Sequence, residues 1–174
     1  FVYGIITPSV IENLQQVSQK HGVPLFGDLQ CSSQIGNVTK FKNFSLLCPT
    51  EREARIALGN NEDGIEYVAN LLLDETQTTN LIVKLGGEGF IAYGRKGNSE
   101  SLRRQYFPAL SANPVDVAGA GDSLLAAVSI ALTHGMTLME ASALGCCVSA
   151  LTVQTVGNLP VHIDNVKQLV AKGN

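Results

Sequence analysis

The stretch Leu81-Ile82-Val83-Lys84-Leu85-Gly86-Gly87-Glu88-Gly89-Phe90-Ile91-Ala92-Tyr93 is two apolar runs joined by glycines. Leu81–Leu85 is short and apolar, which predicts a strand. Gly86–Gly89 predicts a turn, and Phe90–Tyr93 a further strand. Upstream, Ser45–Cys48 is a similar run that stops at Pro49. A helix is predicted from Thr50, because Thr50-x-x-Glu53 has the spacing of a reciprocal cap. Another helix covers Asp63–Leu73. Val23–Gly27 is a short strand ending at Asp28, preceded over residues 9–21 by Val10, Leu14 and Val17 at helical spacing, with Gly22 as the stop. Downstream, residues 102–107 alternate like an edge strand, and helices follow near 120–134, 138–153 and 163–171. Strands alternating with helices predict an α/β chain: a mostly parallel sheet with helices on both faces, in one domain over residues 1–174.

In such sheets ligands sit outside the carboxyl ends of the strands. Asp28, Thr50 with Glu53, and Gly86–Gly89 all fall just past predicted strand ends, and so does the run Asp116-Val117-Ala118-Gly119-Ala120-Gly121-Asp122-Ser123-Leu124. A helix is predicted to begin inside that run. Gly119, Ala120 and Gly121 are small, so a ligand can approach their backbone, and their amides are expected as free donors at a positive helix end. Such an end binds anions, phosphate above all. Asp122 behind it suits a base that takes a proton from a hydroxyl attacking a phosphoryl group. Ordinary capping explains the same residues, since an acid in a first turn is a common helix start.

The 174 residues are enough for a substantial core, burying roughly 70% of the extended-chain surface. A net charge of −3 with no basic cluster argues against nucleic acid as a partner. No apolar run reaches membrane-spanning length, and the opening residues have neither a basic n-region nor a cleavage site. The sequence does not open on Met, so further residues before Phe1 are an expectation. Cys31, Cys48, Cys146 and Cys147 include no Cys-x-x-Cys pair. Neighbours on a helix diverge by about 100°, so Cys146 and Cys147 do not share a metal easily. Free thiols in a reducing, cytoplasmic setting are expected. His21 and His134 each precede a glycine and read as helix ends. Gly94–Ser101 reads as a polar loop.

Taken in order, these segments resemble a known family. Asp116-x-x-Gly119-Ala120-Gly121-Asp122 resembles the C-terminal signature of the ribokinase-like carbohydrate kinases, also called the phosphofructokinase-B family. Val83–Gly89 resembles that family's strand and turn over the nucleotide phosphates, and Cys48–Ala54 its Pro-Asn-x-x-Glu segment. Val153–Gly157 resembles the end of the helix flanking its adenine pocket. Tyr3-Gly4 followed by Ile6-Thr7-Pro8, with Asp116–Gly119, is most similar to the heptose-phosphate kinase branch.

The resemblance implies ATP-dependent phosphoryl transfer to a sugar or sugar-phosphate hydroxyl. Asp122 would be the base, and the amides of Gly119, Ala120 and Gly121 the anion hole. Glu53 would organise Mg²⁺ through water. Lys84, Gly86, Gly87 and Gly89 would line ATP, with Thr50 and Cys146 also at the nucleotide. Asp116 would serve a monovalent-cation or loop-bracing site. Lys84 reads equally as a phosphate partner or a rim residue that snorkels, and Asp28 as a contact to metal-bound water or a loop brace. Two positions depart from the family: Thr50 stands where Asn is expected, and Cys146 where Asn often lies near the adenine. By that resemblance the chain is about half the family's usual length and is expected to begin on a central strand, without the family's N-terminal part. An unpaired strand edge there predicts a homo-oligomer or association with the missing N-terminal half. A competing reading is a non-catalytic fragment that binds nucleotide or a partner. A dinucleotide enzyme is disfavoured, because no Gly-x-Gly-x-x-Gly follows the first strand.

Overall fold

The computed structural model describes residues 6–28, 38–95, 102–111, 113–157 and 159–172. Phe1–Ile5 of the expected opening strand, Cys31 and residues 96–101 of the expected polar loop lie outside the described residues; Gly94 and Arg95 instead complete a strand.

The strands are β1 (Phe26–Gly27), β2 (Leu46–Leu47), β3 (Asn80–Lys84), β4 (Gly89–Arg95) and β5 (Leu102–Pro108). They form one sheet in sequence order. β1 pairs with β2 and β2 with β3 in parallel, with Gly27 opposite Leu47 and Leu47 opposite Leu81. A turn over Gly86–Glu88 links β3 to β4, too short for a parallel crossover. Arg95 N donates to Thr79 O at 3.3 Å and Ala109 N to Glu88 O at 3.3 Å, so β4 runs against both neighbours. The sheet is therefore mixed, with β4 the reversed strand. The helices are α1 (Pro8–His21), α2 (Glu51–Leu58), α3 (Ile65–Thr76), α4 (Ala120–Thr133), α5 (Leu138–Thr152) and α6 (Ile163–Lys172).

Two compact units divide the chain: Phe1–Leu85 with Tyr93–Arg104, and Gly86–Ala92 with Gln105–Asn174. In the first, α1 begins where Thr7 accepts the Val10 amide and ends at Gly22, whose φ of 65° closes the helix onto Ser18 O. Consecutive Leu81, Ile82 and Val83 are all fully buried, so both faces of β3 are covered. α3 packs on β3 and contributes Val68, Leu72 and Leu73 to the same core. α3 starts at Ile65 rather than Asp63, because Gly64 holds the extended N-cap conformation. β1 is shorter than Val23–Gly27: Pro24 supplies no ladder donor.

In the second unit, α4 and α5 are joined by a short connection and pack closely. A Cβ on Gly145 would sit 2.6 Å from Val128 Cγ2 and 2.8 Å from Leu124 Cδ1. The helices therefore meet at a side-chain-free point. Phe90 stacks on Phe107 at 5.1 Å between centroids. Gly89 opens β4 at φ 108°, where a Cβ would lie 2.1 Å from Phe107 O. Only glycine fits there.

Candidate functional site

In the first unit the rim is built by the carboxyl ends of β1, β2 and β3. Pro49 ends β2, and Thr50 forms a parallel bridge with Lys84. Thr50 is the N-cap of α2: its Oγ1 accepts the Glu53 amide at 3.2 Å, while Glu53 Oε2 accepts the Thr50 amide at 2.7 Å. The reciprocal cap expected from spacing is thus formed, and Glu53 is buried within it. Lys84 N donates to Pro49 O at 2.9 Å, which fixes the Lys84 backbone beside the cap.

The Lys84 side chain is neither a free rim cation nor a snorkelling one. Its Nζ donates to Asp28 Oδ2, with both side chains under a fifth exposed, at 18% and 16%. The two strand-end candidates thus form one ion pair across the end of β2. Cys48 lies fully buried at that end. Burial pushes its thiol far up, Asp28 adds to the rise and Lys84 opposes it, so Cys48 is a protonated packing residue.

In the second unit the 116–122 run is a turn into α4. Gly119 is the N-cap at φ 77°, with no side-chain cap, and Asp122 is exposed in the first turn. Of the three amides expected as free donors, Ala120 N donates to Val117 O at 3.3 Å, a long contact. Ser149 on α5 donates its hydroxyl to Ala120 O at 3.3 Å and so braces the start of α4.

Asp116 ties this turn to the end of α5. Its Oδ1 accepts the Ala118 amide at 2.9 Å and its Oδ2 the Gly157 amide at 3.0 Å. The Ala118 and then the Gly157 bond hold its carboxyl below the usual range, against a smaller desolvation effect. The amide of Val115 also donates to Val153 O at 2.7 Å. Two loops that the sequence treats separately are stapled together.

Gly86 and Gly87 lie in the β3–β4 turn with open space where a Cβ would be, and Gly86 has φ 63°. Gly89 does not share that openness; its hydrogen side packs on the β5 backbone. Cys146 faces inward on α5, and its thiol donates to Pro108 O at 3.3 Å. Burial chiefly, then Cys147, pushes the Cys146 thiol up to about 11.

Spacing could not reveal the Asp28–Lys84, Asp116–Gly157 and Ser149–Ala120 contacts, because each joins residues distant in sequence. A second reciprocal cap, Thr137 with Glu140, had the same signal as Thr50 with Glu53.

The pfkB family carbohydrate kinase model matches residues 6–161. The chain belongs to that family. The bifunctional protein HldE of Syntrophotalea carbinolica is 26% identical over 174 residues, covering 98% of this chain and 34% of its own length. This chain thus spans about a third of that relative. Among solved structures, Arabidopsis thaliana ribokinase complexed with ribose and ATP superposes with a TM-score of 0.77 at 23% identity, over 94% of this chain and 52% of that one. Phosphofructokinase-2 from Escherichia coli in complex with potassium gives 0.76 at 17%, over 96% and 53%. These neighbours share the ribokinase-like fold. Among the described residues of this pfkB family member, no helix is long and apolar enough to cross a membrane.

Proposed function

We propose that this chain takes part in ATP-dependent phosphoryl transfer to a hydroxyl of a sugar or sugar phosphate. The observation that carries the reading is the start of α4: a left-handed glycine N-cap, no side-chain cap, and a carboxylate in the first turn. Side-chain caps normally occupy such amides. Their absence leaves a small-residue helix end suited to an anion.

Asp122 takes the proton of the acceptor hydroxyl. The sugar oxygen then bonds to the terminal phosphorus as the bond to the nucleotide oxygen breaks. The amides of Gly119, Ala120 and Gly121 stabilise charge on the transferring group, Ala120 by giving up its long contact to Val117. Lys84, Gly86 and Gly87 line the nucleotide, with Gly89 shaping the turn, while Thr50 and Cys146 contribute structure beside it. Mg²⁺ neutralises phosphate charge when bound. The donor set fits it: Glu53 and Asp28 are hard oxygen donors, and a Mg²⁺ site needs few carboxylates when water and phosphates complete it. Asp116 braces two loops and keeps lone pairs for a monovalent cation. The reading carries a cytoplasmic location and assembly with a second copy or with the N-terminal half of the fold; light scattering tests the assembly.

Calorimetric titration with MgATP, with NAD as control and a thermal melt for folding, tests nucleotide binding. A sugar panel read by ADP release tests turnover. Where the intact enzyme is active, Asp122→Asn lowers the rate roughly 10²–10⁴-fold; full activity in that variant removes Asp122 as the base. The closed Thr50–Glu53 cap favours a second reading, a non-catalytic nucleotide- or partner-binding fragment. MgATP binding without ADP release from any sugar selects it.

A further inference from the structure

The two halves of the Gly86–Gly89 turn differ in freedom. Gly86, at φ 63°, and Gly87 bear no side chain and have open space where a Cβ would be. Glycine loses more conformational freedom than any other residue on being ordered, and that loss weakens binding to a loose turn. The other half is tied down. Two donors converge on the Glu88 carbonyl oxygen: the Tyr106 hydroxyl at 2.6 Å and the Ala109 amide at 3.3 Å. The oxygen has two lone pairs, one for each donor. The Glu88 C=O and the Gly89 N–H belong to one planar unit, so holding that oxygen fixes the plane and the exit of the turn into β4. The amide contact is long, and the hydroxyl makes the closer hold. Strand alternation sends Phe107 inward onto Phe90 and leaves Tyr106 52% exposed on β5. The Tyr106 ring is therefore not a core residue, and its hydroxyl reaches a carbonyl 18 positions back in the chain.

We propose that Tyr106 is a positioning residue of the nucleotide site: by holding the Glu88 carbonyl, its hydroxyl sets the glycine turn in place before nucleotide arrives. This rests on the nucleotide-binding reading above, in which Gly86 and Gly87 line the nucleotide. A turn already in place binds at its intrinsic affinity, whereas a fluctuating one binds more weakly by the fraction of time it is in place. The net worth of one neutral hydrogen bond changes that fraction by about three- to tenfold.

The test compares the wild type with Tyr106→Phe, which removes the hydroxyl and keeps the ring. Tyr67→Phe, at a tyrosine 55% exposed on α3, is the control. Each is checked by thermal melt, titrated calorimetrically with MgATP, and followed by amide hydrogen exchange with mass spectrometry over the turn, free and with saturating MgATP. Tyr106→Phe is expected to weaken MgATP about three- to tenfold and to speed exchange of the turn amides in the free chain by a similar factor, with MgATP narrowing the gap. Tyr67→Phe is expected to change neither. A merely structural role lowers the melting temperature of Tyr106→Phe but leaves MgATP affinity, measured well below the melt, within twofold of the wild type. That result overturns the positioning role while the nucleotide-binding reading stands. Weaker MgATP binding with unchanged exchange of the turn also overturns it, since the hydroxyl then acts other than by ordering the turn. A folded wild type that binds no MgATP overturns both.

Discussion

Replacing Gly145 by alanine should loosen the platform that presents the 119–122 turn. The added Cβ would meet Val128 Cγ2 at 2.6 Å and Leu124 Cδ1 at 2.8 Å, both inside van der Waals contact. Neither neighbour yields easily. Val128 is fully buried and β-branched, so its χ1 is stiff, and Leu124 is 3% exposed. Alanine gains roughly 1 kcal/mol over glycine in helix propensity. Overpacking a tight core contact costs about 1–3 kcal/mol, and here two contacts must be relieved together. The balance is a net loss of about 1–2 kcal/mol, and at 2–4 °C per kcal/mol the melting temperature falls by about 2–8 °C. Urea unfolding followed by circular dichroism reads the change as a lower midpoint at unchanged slope. Gly145→Val should fall further still. A midpoint for Gly145→Ala equal to or above that of the wild type would refute the reasoning, since α4 and α5 would then have room to separate freely.

Gly89→Ala combines a disfavoured φ of 108° with a Cβ 2.1 Å from the Phe107 carbonyl oxygen. It should cost more than about 3 kcal/mol and reduce soluble yield and melting temperature more than Gly145→Ala does. Asp116 has a folded-state carboxyl pKa below its ordinary value. Its contribution is therefore present above the unfolded pKa and lost as pH falls through the folded one. The stability gap between wild type and Asp116→Asn should be constant at neutral pH and close on acidification below about 4, as read from denaturation midpoints. Cys48 and Cys146 have thiols raised by burial, so in the folded chain at pH 8 neither should react with iodoacetamide on the timescale of a free thiol. Mass spectrometry of alkylated peptides checks this, and rapid labelling of Cys48 would contradict its burial.

Where local chemistry decides structure, the order of residues was sufficient. Thr50 with Glu53, Gly22 after His21, and the apolar run Leu81–Leu85 each carry their own instruction: a hydroxyl three residues before a carboxylate, a residue free to adopt positive φ, a continuous buried strand. The helix starting at Ala120 was legible for the same reason, since small residues preceding an apolar run mark a helix entrance. Boundaries slipped where one residue overrode the pattern, as Gly64 did at the start of α3 and Pro24 before β1, and where pairing with a neighbouring strand carried β4 on through Gly94 and Arg95.

The sequence by itself determined the alternation of strands and helices, the family signature and the residues available for chemistry, because these follow from periodicity, capping and backbone freedom over a few neighbours. Tertiary structure alone decided what those residues are doing. Lys84 became half of an ion pair because parallel pairing of β1, β2 and β3 brings Asp28 within its reach. Asp116 became a staple because the segment after α5 returns to it, and Gly145 became a close-contact point because α4 and α5 pack there. Charge balance, close approach and amide capture depend on distance in space, and distance along the chain does not encode them.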